Sequence, residues 1–159
     1  MADPVIETFR QEFDRFHGLM LQQVDACPSD EVWLAKTGRF AYWQHLMHVF
    51  AVLDFYVGTD RAAPAHGFSE AIVKFQEEQS GPMTRDEIKA LAETMKGVVY
   101  AFLKTQSAQT LTEKNEHMTA ITGRESNNLN ALIGLVRHYN YHIGCLDTIL
   151  RQHTGVGVL

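Results

Sequence analysis

Apolar residues recur at intervals of three and four along most of this chain, a spacing that gathers them on one side of an α-helix and scatters them across a strand. Ile6, Phe9, Phe13, Phe16, Met20 and Val24 set the pattern, behind Asp3 as N-cap and Pro4 as first helical residue. A helix is expected over about 4–26, stopped by Cys27-Pro28-Ser29. The stretch to Phe40 holds Gly38 and only Val32, Trp33 and Leu34 as apolar content, and reads as a connecting loop. A second helix is expected over about 41–57. Leu46, Val49 and Leu53 mark one of its faces and Ala41, His45, His48, Val52 and Phe55 another, so that it is enclosed on most sides.

Past Gly58, with Pro64, Gly67, Gly81 and Pro82, the pattern lapses into a lid-like crossover with one short helical stretch, Ser69 to Gln79. Thr84, followed by Asp86 and Glu87, opens a third helix whose Ile88, Leu91, Met95, Val98 and Phe102 carry it to about residue 107. The polar run Gln109 to Glu125 reads as another long connection. Ser126-Asn127-Asn128 caps a last helix with Leu132, Leu135, Val136, Ile143, Leu146, Ile149 and Leu150 as its apolar residues and Gly155 as its end. The expected fold class is all-α, a four-helix bundle with long inter-helix connections, formed as one domain over 1–159.

Charge and cysteine usage narrow the partners. A net charge of −5, with 14 Lys and Arg scattered along the chain, offers no basic stripe for nucleic acid or an anionic membrane. Cys27 and Cys145 are far apart and fit a reducing compartment better than a disulfide scaffold. No leader-like start and no apolar run of roughly 20 residues is present, so a cytoplasmic protein is expected. Small molecules or proteins are left as partners.

Chemistry concentrates in the histidines. His138 and His142, four apart on a helix, stack their imidazoles on the face that carries Leu135, Leu146 and Ile149, and two buried rings there need partners. A metal ion meets that need, and His48 from the second helix completes a set of three nitrogen ligands with coordination positions left open, as in catalytic zinc sites; nickel and iron suit the same donors. The competing reading is that one histidine is a satisfied core residue and the other sits at a cleft edge by chance, since such a pair arises readily among eight histidines.

The stretch Trp43-Gln44-His45-Leu46-Met47-His48-Val49, with His138-Tyr139-Asn140-Tyr141-His142-Ile143-Gly144 about ninety residues later and Leu150-Arg151-Gln152 after it, resembles the DinB/YfiT-like superfamily of metal-binding four-helix bundles over nearly the whole chain. The second-helix pattern is aromatic-x-x-Leu-x-His-hydrophobic and the fourth-helix pattern His-x-x-x-His-x-Gly, which carries the ligand roles onto His48, His138 and His142. The resemblance implies a divalent ion, commonly zinc or nickel, a homodimer, and transferase or isomerase chemistry with low-molecular-weight thiols such as bacillithiol or mycothiol. Metal-dependent hydrolysis and non-catalytic binding of metal or small molecules are the alternatives. Where Arg and Gln commonly flank the motif glycine, Ile143 and Cys145 stand here, which weakens the carry-over of substrate.

Several residues keep two readings. Cys145 is a small core residue or an extra ligand; His45 is an alternative to His48 or a hydrogen-bonding neighbour. Glu116, His117 and Glu125 overhang the site or lie on a solvated loop. Phe9, Phe13 and Phe16 are expected in the core, Trp33, Trp43, Tyr139 and Tyr141 in packing, and His17, His66 and His153 toward solvent. Asp54 and Asp147 are candidates for hydrogen bonds near the site. No carboxylate lies at a spacing diagnostic of a general base.

Overall fold

The computed structural model describes residues 3–58, 69–79 and 81–159, and these are mostly helical. Helix α1 (Pro4–Ala26) starts where the sequence says it should: the Asp3 carboxylate accepts from the Val5 amide at 2.9 Å, and Pro4 takes a first-turn position whose amide needs no partner. The next segment is not a plain loop. It holds a short helix, α2 (Asp30–Leu34), capped by the Ser29 hydroxyl, and a hairpin of β1 (Lys36–Thr37) and β2 (Phe40–Ala41), antiparallel with Lys36 opposite Ala41. Gly38 at φ 66° supplies the turn, which suits glycine at the first of two loop positions.

The expected second helix is two pieces, α3 (Tyr42–Ala51) and α4 (Leu53–Val57), with the ladder reset at Val52, where ψ is −6°. Of the stretch 69–79 only Glu70–Val73 is helical, as α5. The crossover positions Pro64 and Gly67 lie outside the described residues. Helix α6 (Arg85–Lys104) begins with a reciprocal cap between Thr84 and Glu87. The polar connection after it contains a 3-10 turn (Thr110–Thr112) and a helix, α7 (Glu116–Thr122), bracketed by the Asn115 side chain and by Gly123 in the left-handed region. Helix α8 (Asn128–Thr154) is capped by Asn127 and closed by Gly155 at φ 77°.

Helix α1 packs on α6 and α8, α3 packs on the same two helices, and α4 on α6, α7 and α8. Phe13, Met20, Leu46, Phe50, Ile88, Met95, Leu135 and Tyr139 are fully buried between them. At roughly 1.5–3 kcal/mol per large apolar side chain, this burial, not helix propensity, holds the helices together. Phe9 and Phe16 are only partly buried; with Val5, Ile133 and Val136 they line an open apolar groove between α1 and α8. Among the described residues no helix is long and apolar enough to cross a membrane.

One backbone detail bears on the site. Helix α5 ends in a Schellman motif: the Gln76 amide donates to the Ala71 carbonyl at 2.8 Å and the Phe75 amide to Ile72 at 3.2 Å. Phe75 therefore occupies the left-handed position normally given to glycine, at φ 57°, a conformation that costs a residue with a Cβ roughly 1–2 kcal/mol.

The caps carry a direct test. Asn127 and Asn130 satisfy each other's amides at 2.8 and 3.0 Å. Asn127→Ala is expected to lower the unfolding free energy by about 1 kcal/mol in urea titrations, with the denaturant slope unchanged.

Candidate metal centre

Helices α3 and α8 cross with their histidines facing each other. On α8, one turn separates His138 from His142, and their ring centroids are 4.6 Å apart. His48, from the last turn of α3, lies 5.0 Å from the first ring and 4.9 Å from the second. One nitrogen from each of the three lies within 4.8 Å of the others, close enough together that one ion could be held among them.

The hydrogen bonds around the triad assign its nitrogens. His48 Nδ1 bonds to the carbonyl oxygen of Val73, the last residue of α5. A carbonyl only accepts, so Nδ1 holds the proton and the lone pair is left on Nε2. His138 Nε2 is buried with no hydrogen-bond partner among the described residues. Such an atom is costly to leave unpaired, and a cation is the partner that two nearby imidazole nitrogens leave room for. His142 Nδ1 meets His45 Nδ1 at 3.4 Å, while His45 Nε2 is also buried and has no partner among the described residues. His45 thus stands beside the triad as a fourth imidazole, in contact with His142.

Electrostatics keep the rings in ligand form. Burial pushes His48 down to about 3, and the charge that His138 would carry adds to the effect. Burial alone brings most of the fall of His138 to about 4; His142 falls to about 2 through burial and then through repulsion from His138 and His48. All three are neutral at pH 7 and present lone pairs without having to lose a proton. The donor set therefore fits a divalent ion: three nitrogens on rigid helices, one ring oriented by a backbone carbonyl, and one nitrogen otherwise orphaned. The identity of the ion is not fixed by these donors.

Aromatic rings surround the imidazoles. Phe75 stacks on His48, Tyr56 lies 5.7 Å from His138, and Tyr141 meets His142 edge-on at 5.0 Å. Tyr56 also sets the approach of α4 to α8, because a Cβ on Gly134 would come within 2.8 Å of its ring. The motif glycine, Gly144, has open space where a Cβ would go, so nothing in this chain's own packing requires it.

Other residues singled out in the sequence lie elsewhere. Cys145 is partly exposed one turn past Tyr141, with which it interacts, and does not join the triad. His117 reaches the Asp54 carbonyl at 3.0 Å, Glu116 pairs with Lys114, and Glu125 is exposed. Asp147 is not near the site; it binds Arg151 at 2.7 Å and the amide of Val158 at 2.6 Å, fastening the last residues to α8. His17 is not solvent-facing: it is 2% exposed, bonded through Nδ1 to the Tyr139 hydroxyl at 2.9 Å, and brought by burial to about 4. His153 is exposed, and His66 lies outside the described residues. Phe75 and the Val73 carbonyl were missed, and no local pattern announces either.

Compared with protein-family models, with curated proteins and with solved structures, the chain matches none.

Proton linkage gives the site a measurable signature in the metal-free protein. His17, His48, His138 and His142 stay neutral in the fold down to about 4 or lower but titrate near their ordinary value of about 6.5 once unfolded. Below that value the unfolded chain binds more protons, so stability falls as the pH drops. The urea midpoint is expected to hold steady from pH 8 to 7 and to decline continuously from pH 6.5 to 4; a midpoint level down to pH 5 contradicts the burial of neutral imidazoles.

Proposed function

We propose that this protein is a divalent-metal-dependent transferase of low-molecular-weight thiols, built on a four-helix bundle of the DinB/YfiT-like kind, with His48, His138 and His142 holding zinc or nickel. The observation that carries the reading is the convergence of three neutral imidazoles on a point where a buried nitrogen has no partner among the described residues. Supporting the bundle, α1 and α3 each pack against both α6 and α8.

Three protein ligands favour a catalytic over a purely structural site, because structural zinc is almost always closed by four. The ion, when bound, would supply the Lewis acidity that keeps a coordinated thiol ionised at neutral pH. The chain's own part is orientation and exclusion. The Val73 carbonyl holds His48 in the tautomer with its lone pair on Nε2, and His45 braces His142 from behind. Tyr56 lays apolar ring surface beside His138, so that water competes poorly with a thiol there. The proposal includes the homodimer that the resemblance implies.

Elemental analysis of the purified protein tests the first half. One divalent ion per chain is expected, lost when His138 and His142 are both replaced by Ala and kept in His45→Ala, which removes a ring outside the triad. Metal content unaffected by the double substitution sinks the site. For the second half, bacillithiol and mycothiol are offered with 1-chloro-2,4-dinitrobenzene, and loss of free thiol is followed. Metal-dependent consumption is expected with at least one of them; a fully loaded protein that consumes neither is a binding protein, not a transferase.

A further inference from the structure

Phe75 combines two unusual properties. Its backbone is the one non-glycine among the described residues at positive φ, and its ring touches three of the four clustered imidazoles. Phe40, on β2, stacks on it at 4.1 Å between centroids with the planes 10° apart. His48 stacks on it at 4.0 Å and 25°. Two rings so close and so nearly parallel to Phe75 would overlap each other if both lay on one of its faces. Phe75 is therefore sandwiched, with Phe40 on one face and His48 on the other.

We propose that the space Phe75 fills is a substrate subsite for a flat aromatic ring, and that Phe75 is the residue that decides whether such a ring enters. The inference rests on the metal-dependent reading, since the subsite takes its meaning from the ion beside it.

Three features carry it. The slot is one ring thick and adjoins the triad, so a ligand whose donor atom reaches the open coordination position can place an attached ring between Phe40 and His48. Its walls are held independently of Phe75's side chain: Phe40 belongs to the hairpin, and His48 is fixed by α3 and by the Val73 carbonyl. Glycine is the residue that the end of α5 favours at this position, so phenylalanine brings no benefit to the turn itself. What retains the ring in place is its stacking, and an incoming aromatic group offers the walls the same contact. Phe75 and Phe40 are both partly exposed, which leaves the slot reachable from solvent.

The test uses the full-length protein loaded with cobalt(II), as wild type, Phe75→Gly and Phe75→Leu. Each is titrated with thiophenol and with 2-mercaptoethanol, two thiols that offer the same donor atom with and without a ring, and the sulfur-to-cobalt charge-transfer band reports binding. Emptying the slot in Phe75→Gly is expected to tighten thiophenol about tenfold relative to wild type, the equivalent of one stacking contact, and to leave 2-mercaptoethanol within about threefold. Phe75→Leu, which fills the slot without a flat face, is expected to fall between. Taking each thiol's variant-to-wild-type ratio cancels the difference in intrinsic acidity of the two. Equal shifts for both thiols, or no shift for either, in cobalt-loaded protein overturn the subsite and leave the metal reading standing. A wild type that takes up no cobalt overturns the metal reading and the subsite with it. Should Phe75→Gly fail to fold, the Phe75→Leu ratio decides in the same way.

Discussion

A ring nitrogen buried without a hydrogen-bond partner or a cation opposite it is a standing free-energy cost, and the meeting of α3 and α8 places two of them, on His45 and His138, in one place among the described residues. His45, His48, His138 and His142 face each other there because each lies on the inner side of its helix, among residues such as Leu46, Val49, Leu135 and Leu146 that the core requires. Turning either helix to bring its histidines to water would drag those apolar side chains out as well. The packing of the helices thus imposes the cluster, and the cluster in turn calls for something positive at its centre. Protonation is a poor answer, because burial disfavours a charged ring there and, beyond that, a charge on one ring repels the next; both effects push His48 and His142 down. The hydrogen bond from His48 to the Val73 carbonyl, the contact between His45 and His142, and the orphaned nitrogen of His138 all follow from that constraint.

The long helices were legible because they announce both their faces and their ends. Asp3-Pro4 and Cys27-Pro28 bracket α1, Thr84 with Glu87 opens α6, and Asn127 and Gly155 delimit α8; in each case a side chain or a backbone freedom meets a need that any helix terminus has, wherever it sits in the fold. The pairing of His138 with His142 was legible for the same reason, since a four-residue step fixes their relative placement within one helix. That His48 and not His45 would complete the group rested on a motif, and the geometry that distinguishes them is a rotation of α3 that no local pattern specifies.

What escaped the sequence depended on contacts between distant segments. Helices α2 and α7 are too short to persist alone and owe their existence to docking against α3 and α4. The capping pair Asn115 and Gly123 is nonetheless a local signal for α7 that the chain carries. His17 has no partner nearby in sequence to announce its burial; its partner, Tyr139, arrives from α8. Phe75 was invisible for a different reason. A phenylalanine where a helix usually ends in glycine argues against a helix end, and only the stacked rings of Phe40 and His48 account for it.

The distance along the chain between the two halves of the cluster has a kinetic meaning. About ninety residues separate His48 from His138, so the unfolded polypeptide would have to close a long loop to present all three rings at once, and its local His138-His142 pair is at best a weak, two-toothed chelator. A metal ion would accordingly bind the finished fold far better than the nascent chain, stabilising the native state by mass action without guiding it there. Which ion such a site took would then be decided by what is available after synthesis, because the three donors do not themselves fix its identity.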